Sequence, residues 1–441
     1  MRILHVPYSF HPDPLGGTEI YVESLAVWQR ALGCEAAVAA PGSGNSSYEH
    51  AGIPVWRFAT SPQLTLRELY GEGDGVAAEG FGRIVDVYRP DVIHLHAMTS
   101  AISVRLTDHA SRRGIPLVFN YHTPTVSCPR GTLLRWGTEI CDGTLDRRTC
   151  TACVLQSNGV PRALAPLFRI VPSVAGRTGG LWTALRMGEL IDLRIEMFHR
   201  IMNACSSVVA LCNWSRELLI RNRVPEVKIR MCRQGINWPE QEFEAGRTRA
   251  AVSLPLRLAF LGRFDPTKGV HVLVEALQRD RTMPIQLDLY GIRQGDSGEK
   301  YAAEMRTLAG DDARIRLLPP LASADVIPAL RNYDALAVPS QWLETGPLVV
   351  LEAFAAGTPV IGADLGGIAE LVTDRLDGRL VGPYNSPSAW ATVLREICDH
   401  PELLEAMRAG IRPPRHARQA ATDLMPVYAA VSGRPEGAVR K

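Results

Sequence analysis

The most distinctive chemical feature of the chain is a pair of glutamates eight residues apart, Glu344 and Glu352. Glu352 lies on the apolar face of a predicted helix, where burying a carboxylate is costly unless it is hydrogen-bonded. The adjacent hydroxyl groups of a ribose would hydrogen-bond such a carboxylate well. We therefore interpret Glu352 as a ligand-binding group, with an ordinary surface glutamate as the alternative.

The loop before this helix is suited to bind an anion. Ala335–Val338 is predicted to be a strand, and Pro347 is predicted to be the first helical residue, where its missing N–H costs nothing. Gly346 allows a ligand to approach the backbone closely. Free N–H groups and the helix dipole attract phosphate at a helix N-terminus. The predicted diphosphate-binding backbone comprises Thr345, Gly346, Leu348 and Val349.

Two cations five residues apart would complete a diphosphate site. Arg263 follows a predicted strand that ends at Gly262, and Lys268 is predicted to open the next helix. Ligands of open α/β sheets bind at the carboxyl ends of the strands. Arginine offers a bidentate fork and lysine a compact, movable charge, which together suit a diphosphate leaving group. Two solvated surface charges are the alternative.

The N-terminal half carries two weaker signals. Gly16 and Gly17 lie in a glycine-rich loop between a predicted strand and a predicted helix, and their backbone N–H groups could meet phosphate or sugar. The loop is not a dinucleotide fingerprint or a P-loop, and a simple helix-entry turn explains it equally well. His122 follows the predicted strand Leu117–Tyr121 and could donate to a substrate hydroxyl or phosphate, although a lone histidine is more often structural.

A cysteine-rich segment follows His122. A Cys-x2-Cys pair with two further cysteines nearby could close a tetrahedral zinc site, which would pin a loop beside an acceptor pocket. The remaining spacings fit no standard module, so free thiols and a redox or disulfide role stay open as alternatives. The candidate zinc ligands are Cys128, Cys141, Cys150 and Cys153.

The elements that must position these residues are short apolar strands alternating with amphipathic helices. Such strands are typical of parallel sheets covered on both faces, and the alternation predicts a doubly wound α/β fold. The length of 441 residues suits two or three domains. We predict a Rossmann-like domain at 1–237 with a cysteine-rich and basic insertion at about 127–200, a linker at 238–255, a second Rossmann-like domain at 256–413, and a C-terminal helix and basic tail at 414–441.

Composition restricts the classes of function. A net charge of +2 gives no general attraction for nucleic acid. No apolar run reaches the roughly 18 residues of a membrane-spanning helix, and Met1–Val6 reads as a strand and not a secretory signal, so a cytoplasmic location is expected. Basic and large apolar residues interleave between 161 and 200, which suits contact with an anionic membrane at its cytoplasmic face. A basic outer face over an ordinary core is the alternative.

Taken together, these segments resemble the family 4 glycosyltransferases, which are retaining enzymes of GT-B architecture. The resemblance runs from the Gly16-Gly17 loop through Arg89–His96 to Gly366–Glu370, and the Glu-x7-Glu motif is its most specific part. It implies two doubly wound Rossmann-like domains that face each other across a cleft. It also implies these roles: Glu344 contacts the donor sugar, Glu352 the ribose, Arg263 and Lys268 the diphosphate, Gly17 belongs to a phosphate loop, and His122 is an active-site histidine.

The implied activity is transfer of a hexosyl or related unit from a nucleotide-sugar donor to a glycan or lipid-linked acceptor, with retention, in polysaccharide or glycoconjugate biosynthesis. The chain has no Asp-x-Asp triplet, which agrees with neutralisation of the diphosphate by protein cations. No cofactor is therefore expected for catalysis, and zinc would be structural. A GT-B sugar-nucleotide epimerase and a catalytically silent GT-B scaffold are the alternatives. A nicotinamide oxidoreductase is disfavoured because Gly-x-Gly-x-x-Gly is missing.

Overall fold

The chain divides into two compact α/β units. The computed structural model describes residues 1–13, 16–164, 179–243 and 251–434. The first unit comprises Met1–Arg233 and Ala417–Lys441, and the second comprises Gln234–His416. Each unit contains a largely or wholly parallel sheet with helical connections, which confirms the predicted fold class.

The first unit is built on an eight-stranded sheet in the order β10-β9-β6-β5-β1-β2-β4-β3. All neighbours are parallel except the antiparallel pair β3–β4. The strands of this unit are β1 (Arg2–Val6), β2 (Glu35–Gly42), β3 (Ser46–His50), β4 (Ile53–Ala59), β5 (Val92–Leu95), β6 (Leu117–Tyr121), β7 (Leu134–Arg135), β8 (Glu139–Ile140), β9 (Ser207–Ala210) and β10 (Ile229–Met231), of which β7 and β8 form a separate hairpin.

Helices connect these strands and bury them. Every residue of β5, β6 and β9 is buried. These strands are therefore mostly apolar and contain only a few polar residues, which form hydrogen bonds. The strand order changes direction between β1 and β5. The helices are α1 (Gly17–Ala31), α2 (Gly75–Tyr88), α3 (Val104–Arg112), α4 (Arg147–Ser157), α5 (Gly180–Ala204) and α6 (Asn213–Arg221).

The second unit contains a six-stranded, wholly parallel sheet. Its strands are β11 (Leu256–Arg263), β12 (Ile285–Ile292), β13 (Ile315–Leu318), β14 (Ala335–Val338), β15 (Val360–Ala363) and β16 (Gly378–Val381). Their order, β13-β12-β11-β14-β15-β16, is that of a dinucleotide-binding sheet, with its switch point between β11 and β14. The helices are α7 (Val270–Arg279), α8 (Gly295–Ala309), α9 (Ser323–Leu330), α10 (Leu348–Ala355), α11 (Gly366–Leu371), α12 (Pro387–Asp399) and α13 (Glu402–Gly410).

The observed boundaries of the units differ from the predicted ones at two places. The last helix, α14 (Ala417–Ser432), packs against α1, and Leu424, Met425 and Tyr428 join the core of the first unit. Trp238 and Phe243 fall in the predicted linker, yet both are buried in the core of the second unit. Their large apolar surfaces explain this position, whereas residues 244–250 lie outside the described part of the chain.

The cysteine-rich insertion forms a small helical layer of its own. Helices α4 and α5 pack together, and Leu155, Leu190 and Ile191 are buried between them. Part of the segment predicted to contact a membrane, residues 165–178, lies outside the described residues. Among the residues that are described, no helix has both the length and the apolar character that a membrane crossing requires.

Candidate functional site

The switch point of the second sheet brings the predicted charged residues to one edge. Strands β11 and β14 are parallel neighbours, so the segments that leave their carboxyl ends lie side by side. Arg263 is the last residue of β11, in register with Ile292, and not the first residue of the following loop as predicted. Glu344 lies in the loop after β14.

These two loops are joined through their backbones. The Gln341 N–H donates to the Thr267 carbonyl at 2.7 Å. Gly269 has a φ of 73°, and a Cβ at this position would lie 1.9 Å from the Pro339 carbonyl oxygen. A glycine is therefore needed for both its left-handed conformation and the close contact.

The same glycine corrects the predicted position of Lys268. Lys268 ends a 3-10 turn, Pro266–Lys268, and does not open α7, because Gly269 interrupts the helical conformation between them. The Asp265 side chain caps this turn by accepting from the Thr267 N–H. The turn directs Lys268 to the loop after β14.

Glu344 is a fixed, ionised carboxylate. Its Oε1 accepts hydrogen bonds from Lys268 Nζ at 2.5 Å, from Trp342 Nε1 at 2.8 Å and from Ser340 Oγ at 2.9 Å. Burial disfavours the charge, but the attraction of Lys268 and the three hydrogen bonds outweigh it and hold the pKa of Glu344 below its usual value. Ser340 and Trp342 do not stand out in the sequence, although both carry a hydrogen-bond donor and lie in the loop that contains Glu344.

Glu352 differs from Glu344 in that its pKa is raised and its carboxylate has no partner among the described residues. It lies on α10 among the buried residues Val350, Leu351 and Phe354. Burial raises the pKa of Glu352 to about 7. Within the described residues its carboxylate has no hydrogen-bonding or ion-pairing partner. It is therefore a carboxylate whose hydrogen-bonding capacity is left for a ligand.

The start of α10 has the predicted backbone geometry with a shift of one residue. Pro347 is the N-cap, and Leu348 is the first helical residue. The first N–H groups of a helix have no intrahelical acceptor, so those of Leu348 and Val349 can meet a ligand. Gly367 packs against this loop, because a Cβ there would lie 2.5 Å from the Gly346 nitrogen.

Arg263 completes the set of predicted groups in the second unit. Its side chain is half-buried, and within the described residues its guanidinium forms no hydrogen bond or ion pair. A half-buried arginine with five unused donors is suited to an anionic ligand.

The glycine-rich loop of the first unit is only partly described, because Pro14 and Leu15 lie outside the described residues. Gly16 is the N-cap of α1, and its N–H donates to Glu19 Oε2 at 2.9 Å. This N–H is therefore occupied by the helix's own carboxylate. Gly17 is the first residue of α1 and is exposed. A phosphate-binding role for either glycine stays a prediction.

His122 belongs to a buried network of neutral histidines. Its Nε2 lies 3.0 Å from His96 Nδ1, and His96 Nε2 lies 3.0 Å from His5 Nδ1. His5 Nε2 in turn lies 2.7 Å from Gln29 Oε1. Burial lowers the pKa of His5 to about 4 and that of His122 to about 3. His122 is therefore a neutral hydrogen-bonding group. The sequence gives no sign of this chain of contacts, because its members lie far apart along the chain.

Arg194 is a candidate that the sequence analysis missed. It lies on α5 and donates to the Thr125 carbonyl, in the segment that follows His122. Burial lowers the pKa of Arg194 to about 10, against the opposing influence of the Cys128 thiol and the Tyr70 hydroxyl. No carboxylate pairs with it in the described residues. Its sequence context, a long amphipathic helix, gives no sign of this.

The four cysteines do not form a closed cluster. Among the described residues, only two groups of three or more His, Cys, Asp or Glu have ligand atoms within 4.8 Å of one another, and neither contains a cysteine. The Cys153 sulfur instead accepts from the Trp136 N–H at 3.5 Å. All nine cysteines of the chain are free thiols in the structure, so it contains no disulfide. Zinc binding by these four residues stays a prediction.

Two family models match the chain. "Glycosyl transferases group 1" matches residues 250–412, and "Glycosyl transferase 4-like domain" matches residues 16–235. Among curated proteins, the D-inositol 3-phosphate glycosyltransferase of Jonesia denitrificans is 39% identical over 186 residues, which are 39% of this chain and 42% of that protein. That of Corynebacterium efficiens is 34% identical over 206 residues, 43% of this chain and 47% of that protein. The chain therefore spans less than half the length of these curated relatives.

Solved structures share the fold over nearly the whole chain. HepE of Anabaena, in complex with UDP and glucose, has a TM-score of 0.63 at 17% identity and covers 97% of this chain and 99% of its own. Sucrose-phosphate synthase of Thermosynechococcus elongatus has a TM-score of 0.62 at 18% identity and covers 98% of each chain. At these identities the likeness concerns the fold, which is GT-B.

Proposed function

The chain belongs to the glycosyltransferases with a group 1 domain and a 4-like domain, and we propose that it is a retaining, nucleotide-sugar-dependent transferase with its donor site at the switch point of the second sheet. One observation carries the proposal. Glu352 is a half-buried carboxylate without a partner in the described residues, and it lies on the helix that follows β14, the parallel neighbour of the strand that ends at Arg263. Such a group would be costly to keep without a ligand.

The charges of the site suit a nucleoside diphosphate. The Arg263 guanidinium and the Lys268 ammonium would bind the diphosphate together with the free N–H groups at the start of α10. Lys268 has three N–H donors, so it can keep its hydrogen bond to Glu344 while a second donor meets a phosphate oxygen. Glu352 would accept hydrogen bonds from the ribose hydroxyls, and Glu344 would contact the sugar.

The reaction then follows from where negative charge develops. The bond between the anomeric carbon and the diphosphate oxygen breaks, and the acceptor oxygen forms its bond on the same face of the sugar. The acceptor's proton leaves with the diphosphate. Arg263, Lys268 and the helix N-terminus stabilise the charge on that leaving group without needing to reorganise, which is the most effective form of electrostatic catalysis.

The acceptor side belongs to the first unit. A neutral His122 would form a hydrogen bond with a substrate hydroxyl, and the backbone of Gly17, at the exposed start of α1, would contact phosphate or sugar. The half-buried Arg194 would bind an anionic group of the acceptor, such as a phosphate. The curated relatives named above act on an inositol phosphate, which supports an anionic acceptor. We further propose that the acceptor is a glycan or is lipid-linked. The protein would then contact an anionic membrane from the cytoplasmic side.

The donor is best identified with a panel of sugar nucleotides. A ligand at about 100 times its Kd stabilises the folded protein by about 2.7 kcal/mol, so the correct donor raises the melting temperature. The matched variants are Arg263→Ala and Arg306→Ala, the latter an exposed arginine on α8. We expect the shift in wild type and in Arg306→Ala, but not in Arg263→Ala. An equal shift in both variants would place the donor elsewhere.

Product analysis then distinguishes the proposed reaction from its rivals. The glycosylated product should keep the anomeric configuration of the donor, as judged by NMR coupling constants. Incubation with donor alone should leave the sugar unchanged, whereas an epimerase would convert it. An inverted product would refute retention, and no turnover with any donor and acceptor would favour a silent scaffold.

A further inference from the structure

Three side chains of the first unit converge at a place that the proposed reaction does not use. His11 Nε2 lies 2.8 Å from Glu23 Oε2, and His50 Nε2 lies 3.2 Å from Glu23 Oε1. The two imidazole rings are stacked, with centroids 3.7 Å apart and planes 17° apart. One ligand atom from each of the three residues lies within 4.8 Å of the others.

The three residues come from separate elements that are well fixed. Glu23 is in the second turn of α1, His50 ends β3, and His11 lies in the loop after β1. The Tyr48 hydroxyl donates to the His11 carbonyl. Arg57 of β4 holds the same loop by donating to the Phe10 carbonyl at 3.4 Å and by an ion pair with Asp13. The loop is therefore held by the hairpin independently of its histidine.

We propose that His11, Glu23 and His50 form a binding site for a divalent transition-metal ion, with zinc as the ion that fits this ligand set best. Two imidazole nitrogens and one carboxylate are a set that zinc uses with water in the fourth position. First-row transition metals prefer such nitrogen-rich sites, whereas magnesium and calcium prefer oxygen ligands.

Solvent access separates this trio from the other histidine group of the unit. The side chains of His11, Glu23 and His50 are 21%, 28% and 31% exposed, so an ion can enter and keep a bound water. His5, His94 and His96 also bring their nitrogens together, but they are completely or almost completely buried. His5 and His96 are already hydrogen-bonded to each other, and His94 Nδ1 is hydrogen-bonded to the Tyr428 hydroxyl.

The nitrogens that contact Glu23 are the ones that would bind the ion. Without metal, the Nε2 atom of each imidazole lies at hydrogen-bonding distance from one oxygen of Glu23. With metal, the Nε2 lone pairs and a carboxylate oxygen would bind the ion, and each ring would carry a proton on Nδ1. The ion would link the loop after β1, the helix that begins at Gly17 and the hairpin β3–β4, and would thereby stabilise the first unit.

Zinc titration of the full chain tests the site. After removal of metal with a chelator, zinc is titrated in competition with a chromophoric chelator into wild type, His50→Asn, Glu23→Gln and the control His400→Asn. His400 is 63% exposed and, among the possible ligands in the described part of the chain, contacts only Glu402. We expect wild type and the control to bind one more zinc ion than His50→Asn, with affinity at least tenfold weaker in Glu23→Gln. Equal binding by wild type and both site variants would overturn the proposal.

Cobalt separates this site from the predicted cysteine site. Co²⁺ at two histidines and a carboxylate gives weak visible bands without thiolate charge transfer, whereas Co²⁺ at cysteine thiolates absorbs strongly in the near ultraviolet. We expect the weak visible bands in wild type and their loss in Glu23→Gln, which preserves the size of the side chain. Wild-type protein whose bound cobalt shows only thiolate bands, or that binds none, would overturn the proposal even if the His50 variant failed to fold.

Discussion

Both units carry polar side chains in and beside similar parallel sheets. Those of the second unit are mainly ionisable groups that can bear charge, whereas those of the first unit are mainly neutral histidines. In the second unit, Lys268 and Glu344 form a close ion pair, while the side chains of Arg263 and Glu352 have no partner in the described residues. In the first unit, His5, His96 and His122 are buried, hydrogen-bonded and neutral. The comparison indicates that the second unit is prepared for a charged ligand, whereas the first offers directed hydrogen bonds.

Acid should distinguish the units most strongly. Because burial lowers the pKa of His5 to about 4 and that of His122 to about 3, the unfolded chain binds protons that the folded chain does not. The first unit should keep its full stability above about pH 6.5 and lose it as the pH falls towards 4. A shift of this size corresponds to about 3 kcal/mol for one histidine.

Hydrogen exchange resolved by peptide, and corrected for the intrinsic effect of pH, measures this loss. Peptides from β1, β5 and β6 should lose protection between pH 7.5 and pH 5, before peptides from β11 and β14. Loss of protection in the second unit first would show that the histidine network is not the acid-sensitive part of the molecule.

Removing one cation of the proposed donor site should have the next largest effect. Arg263→Ala and Lys268→Ala should each lower the rate of transfer by about 10²–10³, the usual cost of removing a preorganised group that stabilises the leaving charge. Both variants should retain the circular dichroism spectrum of wild type. Arg306→Ala is the control and should turn over normally; near-normal turnover in either site variant would refute the assignment.

Substituting glutamine for Glu352 or for Glu344 should change the stability of the protein in opposite directions. The pKa of Glu352 is raised to about 7, so its ionisation destabilises the fold as the pH rises from about 4.5 to about 7. Glu352→Gln should therefore be more stable than wild type at pH 8 by about 3 kcal/mol at most, with no difference near pH 4.5.

Glu344→Gln should behave in the opposite way, because the pKa of Glu344 is held below its usual value and Lys268 would lose its partner. It should destabilise the protein at pH 8. Urea unfolding at the two pH values measures both differences. If Glu344→Gln stabilised the protein at pH 8 and Glu352→Gln destabilised it, the assignment of Glu344 as the paired carboxylate and Glu352 as the unpaired one would be wrong.

The smallest effect concerns the cysteine segment of the first unit. If Cys128, Cys141, Cys150 and Cys153 bind zinc, purified protein should contain, besides any zinc at His11, Glu23 and His50, one zinc ion that is lost in Cys150→Ser and retained in Cys398→Ser, a buried cysteine of the second unit. Burial raises the pKa of Cys150 to about 12, so binding requires a metal to displace a firmly held proton. Plasma emission spectrometry that finds the same zinc content in both variants would exclude the cysteine site.

Much of the fold could be predicted because strands and helices leave local patterns of apolar and polar residues in the sequence. Ala335–Val338 and Leu117–Tyr121 are strands with the predicted bounds, since fully buried strands appear as continuous apolar runs. The return of α14 to the first unit could not be predicted, because periodicity shows that a helix has an apolar face but not which core covers it. Trp238 was assigned to a linker for the same reason, since its neighbours are polar and its own burial depends on tertiary contacts.

The site was predictable in its residue types but not in its pairings. The order of the motifs placed Arg263, Lys268 and Glu344 at one sheet edge. The contact between Lys268 and Glu344, however, depends on the left-handed Gly269, which ends the turn one residue before α7. The histidine chain and the contact of Arg194 with the Thr125 carbonyl join residues far apart in sequence, for which no local signal exists.

The most direct test of the central claim is a crystal structure of the protein with a nucleoside diphosphate sugar bound. We predict that the diphosphate lies within hydrogen-bonding distance of Arg263, of Lys268 and of the N–H groups at the start of α10, with the ribose hydroxyls on Glu352. A diphosphate bound elsewhere, with Glu352 still without a partner, would contradict the account.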